Sequence, residues 1–256
     1  MLKNDQKVWL RYWTLPLNKT KPLILKDKKR PKKFEKSNRR ILLNSIDFRN
    51  PVSSLSAFGV GVKDLKVFEE KCKVRSDLLE RRSRLTLQFI NRNSKRANEN
   101  LLGLNNFRRA QRIAVYFPTK NEVRTEGIFE KAKEYGKELY FPRVVNALLD
   151  FHKVDSLGEL KPGKFGVPEP SRDSTIIQVK DLDMIVIPGV AFDLRGRRLG
   201  YGKGFYDRTL VNVSREKIVG LAYGFQVVSR IPAESGDKSV GLLITENGII
   251  IGQGGG

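Results

Sequence analysis

The chain has 256 residues, enough for one substantial core, and its 49 Lys/Arg against 28 Asp/Glu give a net charge of +21. A single cysteine, Cys72, excludes an internal disulfide and fits a reducing compartment; a single histidine, His152, excludes a Cys/His zinc site and any mechanism needing two histidines. No apolar stretch approaches the ~18 residues of a membrane span and no signal peptide is evident, so a cytoplasmic protein without a membrane partner is expected.

The charge is uneven. Residues 1–64 hold 16 Lys/Arg against 5 Asp/Glu, a net density about three times that of the remainder. They contain Lys26-Asp-Lys-Lys-Arg-Pro-Lys-Lys33 and Arg39-Arg40 without any sustained period. Residues 1–62 therefore read as a basic, poorly ordered N-terminal arm, or as the product of a misassigned start codon. Such an arm attracts nucleic acid or anionic surfaces without sequence preference. It is too rich in Lys and Pro to make a persuasive organelle presequence.

From residue 63 onward helical and strand patterns alternate. Leu65, Phe68, Cys72, Arg75, Leu78 and Leu79 recur at helical spacing, and a second helix is expected over 84–102. Residues 113–117 read as a strand ended by Pro118. Thr125 reads as the cap of a helix reaching Tyr135, with Gly136 as its stop signal. A strand over 138–141 is expected to end at Pro142, and alternation over 148–154 puts His152 on a strand in a structural role. Further strands are expected over 185–187, 218–222 and 242–245, with a terminal hairpin arm at 249–251. This order argues for an α/β domain over 63–256, with a largely parallel sheet flanked by helices in a Rossmann-like three-layer α/β/α arrangement.

The chemistry concentrates in Arg198-Leu-Gly-Tyr-Gly-Lys-Gly-Phe-Tyr-Asp207. Gly200, Gly202 and Gly204 remove the Cβ atoms that would keep a ligand off the backbone, and they permit positive φ. The exposed N–H groups can form a nest for phosphate oxygens. Lys203 adds a compact positive charge, and Asp207 is a hard oxygen donor suited to Mg²⁺. The run follows a buried strand within Asp183-Met-Ile-Val-Ile-Pro-Gly189, and a helix can start at Phe205, so a phosphate would lie at the C-terminal end of a sheet. It is neither a Walker A loop nor the dinucleotide fingerprint, since Gly-Lys-Ser/Thr is absent and the last glycine lies at the wrong offset.

Residues 65–251 resemble the 5-formyltetrahydrofolate cyclo-ligase family. The resemblance rests on Lys71-Cys-Lys-Val-Arg75, Tyr116-Phe-Pro-Thr-Lys-Asn-Glu-Val123, Phe165-Gly-Val-Pro-Glu-Pro170 and Pro188-Gly-Val-Ala-Phe-Asp193 running into the glycine loop. It implies an ATP-dependent, magnesium-assisted closure of 5-formyltetrahydrofolate to the methenyl form by a monomer. The implied ATP site comprises Lys71 and Arg75, four apart on one helix face, with Arg198, Leu199, Gly200, Tyr201, Gly202, Lys203, Gly204, Phe205 and Tyr206. Lys203 would neutralise the transferring phosphoryl group, and Asp207 and Asp237 would hold Mg²⁺. Phe117, Glu122, Phe165, Tyr201 and Phe205 would meet the folate, with Glu122 a catalytic residue at the pterin and formyl end that either bonds the pterin nitrogens or steers the attacking amine. Tyr201 stands where the family often has arginine, Phe165 where it often has tryptophan, and Phe205 where it often has tyrosine. Two alternatives remain open at this point: a nucleic-acid-binding protein on the same fold, and a phosphosugar or nucleotide enzyme of related α/β fold.

Overall fold

The computed structural model describes residues 62–232 and 236–253. The arm assigned to 1–62 thus lies outside the described residues, apart from Val62. Three helices come first: α1 (Val62–Ser83), α2 (Leu87–Leu102) and α3 (Asn105–Arg109). They lead into β1 (Arg112–Ala114), α4 (Glu126–Glu134), β2 (Glu138–Val145) and β3 (Leu148–Lys153). Three two-residue strands follow, β4 (Lys161–Pro162), β5 (Pro168–Glu169) and β6 (Ile176–Ile177). The chain then forms β7 (Met184–Pro188), β8 (Ala191–Asp193), β9 (Arg198–Leu199) and α5 (Phe205–Thr209). It closes with β10 (Ile218–Leu221), β11 (Val227–Val228), β12 (Leu242–Thr245) and β13 (Gly248–Ile251).

The main sheet has the order β13-β12-β10-β7-β1-β2-β3-β6. Five adjacent strands, from β12 to β2, are parallel. The antiparallel members β13, β3 and β6 lie toward its edges. The expected α/β fold with a largely parallel sheet is therefore present. Alternation along each strand builds a core on either face. Ile113, Met184, Val186, Val219, Leu221 and Ile244 join one core with α2 and α4. Ala114, Ile185, Ile187, Ile218 and Leu243 join the other, against which Phe205 and Tyr206 pack. His152 is buried in the β3 ladder, with Nδ1 3.1 Å from the Ser174 carbonyl, consistent with its structural reading.

Several boundaries differ from expectation. The first strand is β1 over 112–114 rather than 113–117, and the second continues through Pro142 to Val145. One cause explains both. The Val115 N–H donates to the Tyr140 carbonyl, so residue 142 faces β1 as well, and proline there has no N–H for the next rung. Pairing with β1 stops, while pairing with β3 on the other side proceeds to Val145↔Leu148. Helix α2 starts at Leu87, not at 84, because the Thr86 side chain accepts from the Phe89 N–H as N-cap. Thr125 precedes α4 as expected but makes no capping bond; its hydroxyl donates to the Tyr116 carbonyl instead.

Counted along the chain, the parallel strands occupy spatial positions 2-1-3-4-5, and the winding reverses between β1 and β7. Ligands bind at such a switch point, outside the carboxyl ends of the two strands. The segments leaving those ends are the 119–122 turn and, after Gly189 and the β8–β9 hairpin, the glycine loop.

Candidate active site

The turn after β1 is tight. The Glu122 N–H donates to the Thr119 carbonyl at 2.9 Å, and Lys120 and Asn121 both take positive φ, 50° and 58°. The turn folds the Glu122 carboxylate back onto its own backbone. Oε2 accepts from the Thr119 N–H at 2.9 Å and from its hydroxyl at 3.3 Å, and Oε1 accepts from the Tyr201 hydroxyl at 2.9 Å. Glu122 is only 5% exposed, which raises its pKa; the nearby Arg82 guanidinium, 3.8 Å away, and the three hydrogen bonds oppose that rise. The structure buries this acid, with both oxygens engaged.

Arg82 is the residue that sequence reasoning missed. It is 1% exposed, and its guanidinium ties together both sides of the switch point. Nε donates to the Lys120 carbonyl at 2.9 Å, Nη1 to the Gly189 carbonyl at 3.3 Å, and Nη2 to the Tyr201 hydroxyl. In sequence it is one of a crowd of basic residues with Arg81 and Arg84. The available signal was its spacing: 11 residues from Lys71 and seven from Arg75 put all three within about 40° on one helix face.

On the other side of the switch point, Arg75 Nε donates to the Gly200 carbonyl at 2.9 Å, anchoring the glycine loop to α1. Gly202 and Gly204 take φ of 91° and 65°, as the glycine pattern anticipates. The N–H groups of residues 202–204 make no hydrogen bond to any described residue. Leu199 turns into a small core with Ala191 and Ile231. Lys203 Nζ sits 3.0 Å from the centroid of the Phe165 ring, and desolvation there lowers its pKa. Phe165 is 54% exposed with φ of 62°, and its ring lies 5.9 Å from Phe205. Phe117 packs into the core on the α2/α4 face and makes no ring contact with Phe165 or Phe205. Of the four aromatic residues expected around the folate, Phe165 and Phe205 are in ring contact, while Phe117 packs into the core and Tyr201 bonds Glu122.

The two acids expected to hold metal are brought close along the backbone. Asp207 Oδ1 accepts from Arg198 Nη2 at 2.9 Å and from the Lys238 N–H at 3.3 Å, beside Asp237. Asp237 Oδ2 accepts from Lys71 Nζ at 2.7 Å. The Arg198 guanidinium also lies over Tyr206, 5.4 Å from its ring. Among the described residues no three His, Cys, Asp or Glu side chains gather into a metal cluster, so any ion here needs ligand oxygens as well. Taken together, the switch point offers an open run of N–H donors, several cations and two carboxylates. That set suits a polyphosphate.

A model of the family described as 5-formyltetrahydrofolate cyclo-ligase matches residues 67–246. The Haemophilus influenzae protein named 5-formyltetrahydrofolate cyclo-ligase is 31% identical over 175 residues, which is 66% of this chain and 94% of its own length. Among solved structures, a 5,10-methenyltetrahydrofolate synthetase from Aquifex aeolicus aligns with a TM-score of 0.65 and 36% identity, over 73% of this chain and 94% of that one. One from Mycoplasma pneumoniae aligns with a TM-score of 0.57 and 26% identity, over 69% and 98%.

Proposed function

Because the chain belongs to the 5-formyltetrahydrofolate cyclo-ligase family of enzymes, we propose that it converts 5-formyltetrahydrofolate and ATP to 5,10-methenyltetrahydrofolate, ADP and phosphate, acting as a cytoplasmic monomer. The formyl carbon is amide-like, and its oxygen is a poor leaving group. Transfer of the γ-phosphoryl group to that oxygen gives an imidoyl phosphate. The second folate nitrogen then attacks the formyl carbon, and the C–O bond breaks as phosphate departs with the former formyl oxygen. Such chemistry asks the protein to position the reactants and neutralise charge rather than to form a covalent intermediate.

The observation that carries this reading is the open glycine loop: three consecutive N–H groups without an acceptor among the described residues, next to Lys203 and anchored by Arg75. These donors cradle the phosphates, Lys71 and Arg75 approach the nucleotide from α1, and Lys203 neutralises the group in transfer. The pterin stacks on Phe165 and Phe205, displacing the Lys203 ammonium from the Phe165 face. Glu122 carries the negative charge at the pterin end, where the Tyr201 hydroxyl on Oε1 gives way to a pterin N–H. Asp207 and Asp237 would hold Mg²⁺; two neighbouring carboxylates completed by phosphate oxygens fit its preference for hard donors. Bound there, the ion would offset phosphate charge.

The test is to mix purified protein, MgATP and 5-formyltetrahydrofolate and follow methenyl absorbance together with ADP. The parent turns over, and Lys203→Ala lowers kcat by about 10²–10³-fold, the usual loss for a donor at developing charge. An inert parent, or Lys203→Ala matching it, overturns the reading.

A further inference from the structure

We propose that Tyr223 is a positioning residue for the cyclisation: from beyond the end of β10 its hydroxyl fixes the main chain of Glu122, so that the carboxylate is aimed at the pterin end of the folate. It rests on the cyclo-ligase reading above and deepens it. Tyr223 follows β10 by two residues and is fully buried in the core on the α2/α4 face. Its hydroxyl donates to the Glu122 carbonyl at 3.2 Å. The same oxygen lies 3.2 Å from Ser94 Oγ on α2, and Ser94 Oγ accepts from the Arg124 N–H at 3.0 Å. A carbonyl can only accept, so the phenol proton goes to Glu122 and Ser94 donates to the phenol oxygen. Arg124 N–H, Ser94, Tyr223 and the Glu122 carbonyl thus form one directed chain of hydrogen bonds.

That chain closes on the turn that carries the acid. The Glu122 N–H donates to the Thr119 carbonyl at 2.9 Å, and the Val123 carbonyl accepts from the Tyr116 hydroxyl at 2.8 Å. The peptides on both sides of the Glu122 Cα are therefore held, which leaves the carboxylate aimed at Thr119 and Tyr201. The main chain of Tyr223 reaches the other side of the switch point. Its N–H donates to Gln226 Oε1 at 3.0 Å, and Gln226 Nε2 donates to the carbonyls of Gly189 and Val190 at 2.9 and 3.0 Å. One residue thus couples the Glu122 turn to the end of β7, from which the chain runs on to the glycine loop. The ring is packed by Phe89, edge-on at 5.4 Å, and by Phe225, stacked at 5.8 Å. Phenylalanine would keep both ring contacts. The hydroxyl is therefore the part that serves Glu122 rather than the core.

The experiment uses the full chain and steady-state kinetics with MgATP and 5-formyltetrahydrofolate. Calorimetry adds the affinity for a magnesium-bound, non-hydrolysable ATP analogue, and that for 5-formyltetrahydrofolate on the enzyme saturated with the analogue. Tyr223→Phe is expected to weaken folate binding about tenfold, the equivalent of one hydrogen bond. It should lower kcat by about 10–10²-fold through misplacement of the acid, while affinity for the ATP analogue stays at the parent value. In a Glu122→Gln background, where the charge being aimed is gone, Tyr223→Phe should add little to the loss of folate affinity. A merely structural hydroxyl would cost the same in both backgrounds. Parent-like folate affinity or parent-like kcat in Tyr223→Phe overturns the proposal. So does an equal loss of affinity for the ATP analogue, or an undiminished loss of folate affinity in the Glu122→Gln background. Should Tyr223→Phe fail to fold, Ser94→Ala breaks the chain one bond earlier and is expected to weaken folate binding severalfold; parent-like affinity there overturns the proposal as well. A parent without turnover would sink the family reading instead, so the two failures are distinguishable.

Discussion

At the scale of single residues, Arg82 ties more of the site together than any other side chain, since its guanidinium meets the carbonyls of Lys120 and Gly189, the Tyr201 hydroxyl and the Glu122 charge. Removing it leaves a buried carboxylate without its cation and takes a donor from two carbonyls, of which Gly189 keeps the Gln226 side-chain amide at 2.9 Å. We expect Arg82→Met to destabilise the fold by about 3–5 kcal/mol, the range for breaking a buried ion pair by truncating one partner. Urea titration reads this directly, and a loss under about 1 kcal/mol would mean that the network is dispensable. Lys120 behaves in the opposite way. Its ammonium, at about 8, lies below the ordinary lysine value, so the unfolded chain binds more protons between about pH 8 and 10.5. The penalty for charging it in the folded state is present in full below that window and fades through it. Lys120→Met should therefore melt higher than the parent at pH 7, and the gap should close by pH 10; a gap that does not change with pH contradicts the assigned cause.

At the scale of elements, the glycine loop depends on backbone conformations that only glycine adopts without strain. Gly202 has φ of 91°, and an added methyl would lie 3.9 Å from the Arg75 guanidinium that anchors the loop. Gly202→Ala is expected to cost about 1 kcal/mol of stability and about tenfold or more in nucleotide affinity. Thermal melts and a fluorescent nucleotide titration check the two effects, and unaltered affinity would place the phosphates elsewhere. How far each element could be read from sequence follows from what holds it. Strand β12 was legible to the residue because a continuous apolar run suffices for a strand buried on both faces. The two-residue strands β4, β5, β6, β9 and β11 were not, because they exist only through tertiary pairing. Pro142 misled because proline blocks one edge of a strand while the other still pairs. Lys203 stood out in sequence through its glycine string, and Lys71 and Arg75 through the family resemblance rather than their own surroundings. Arg82 and Lys120 were not legible, because their partners come from strand ends that only the fold brings together.

At the scale of the whole molecule, the catalytic groups proposed here all lie between Lys71 and Asp237, inside the matched span 67–246. Removal of residues 1–61 should leave kcat largely intact and weaken only salt-sensitive association with polyanions; a severe loss of turnover would bring the basic segment into the site. The central claim is that a phosphoryl group passes from nucleotide to the formyl oxygen across the β1–β7 switch point. Substrate carrying ¹⁸O in its formyl group tests it most directly, with mass spectrometry of the phosphate released during turnover. The account predicts that the label leaves in phosphate. Unlabelled phosphate, with the heavy oxygen in water, would contradict it.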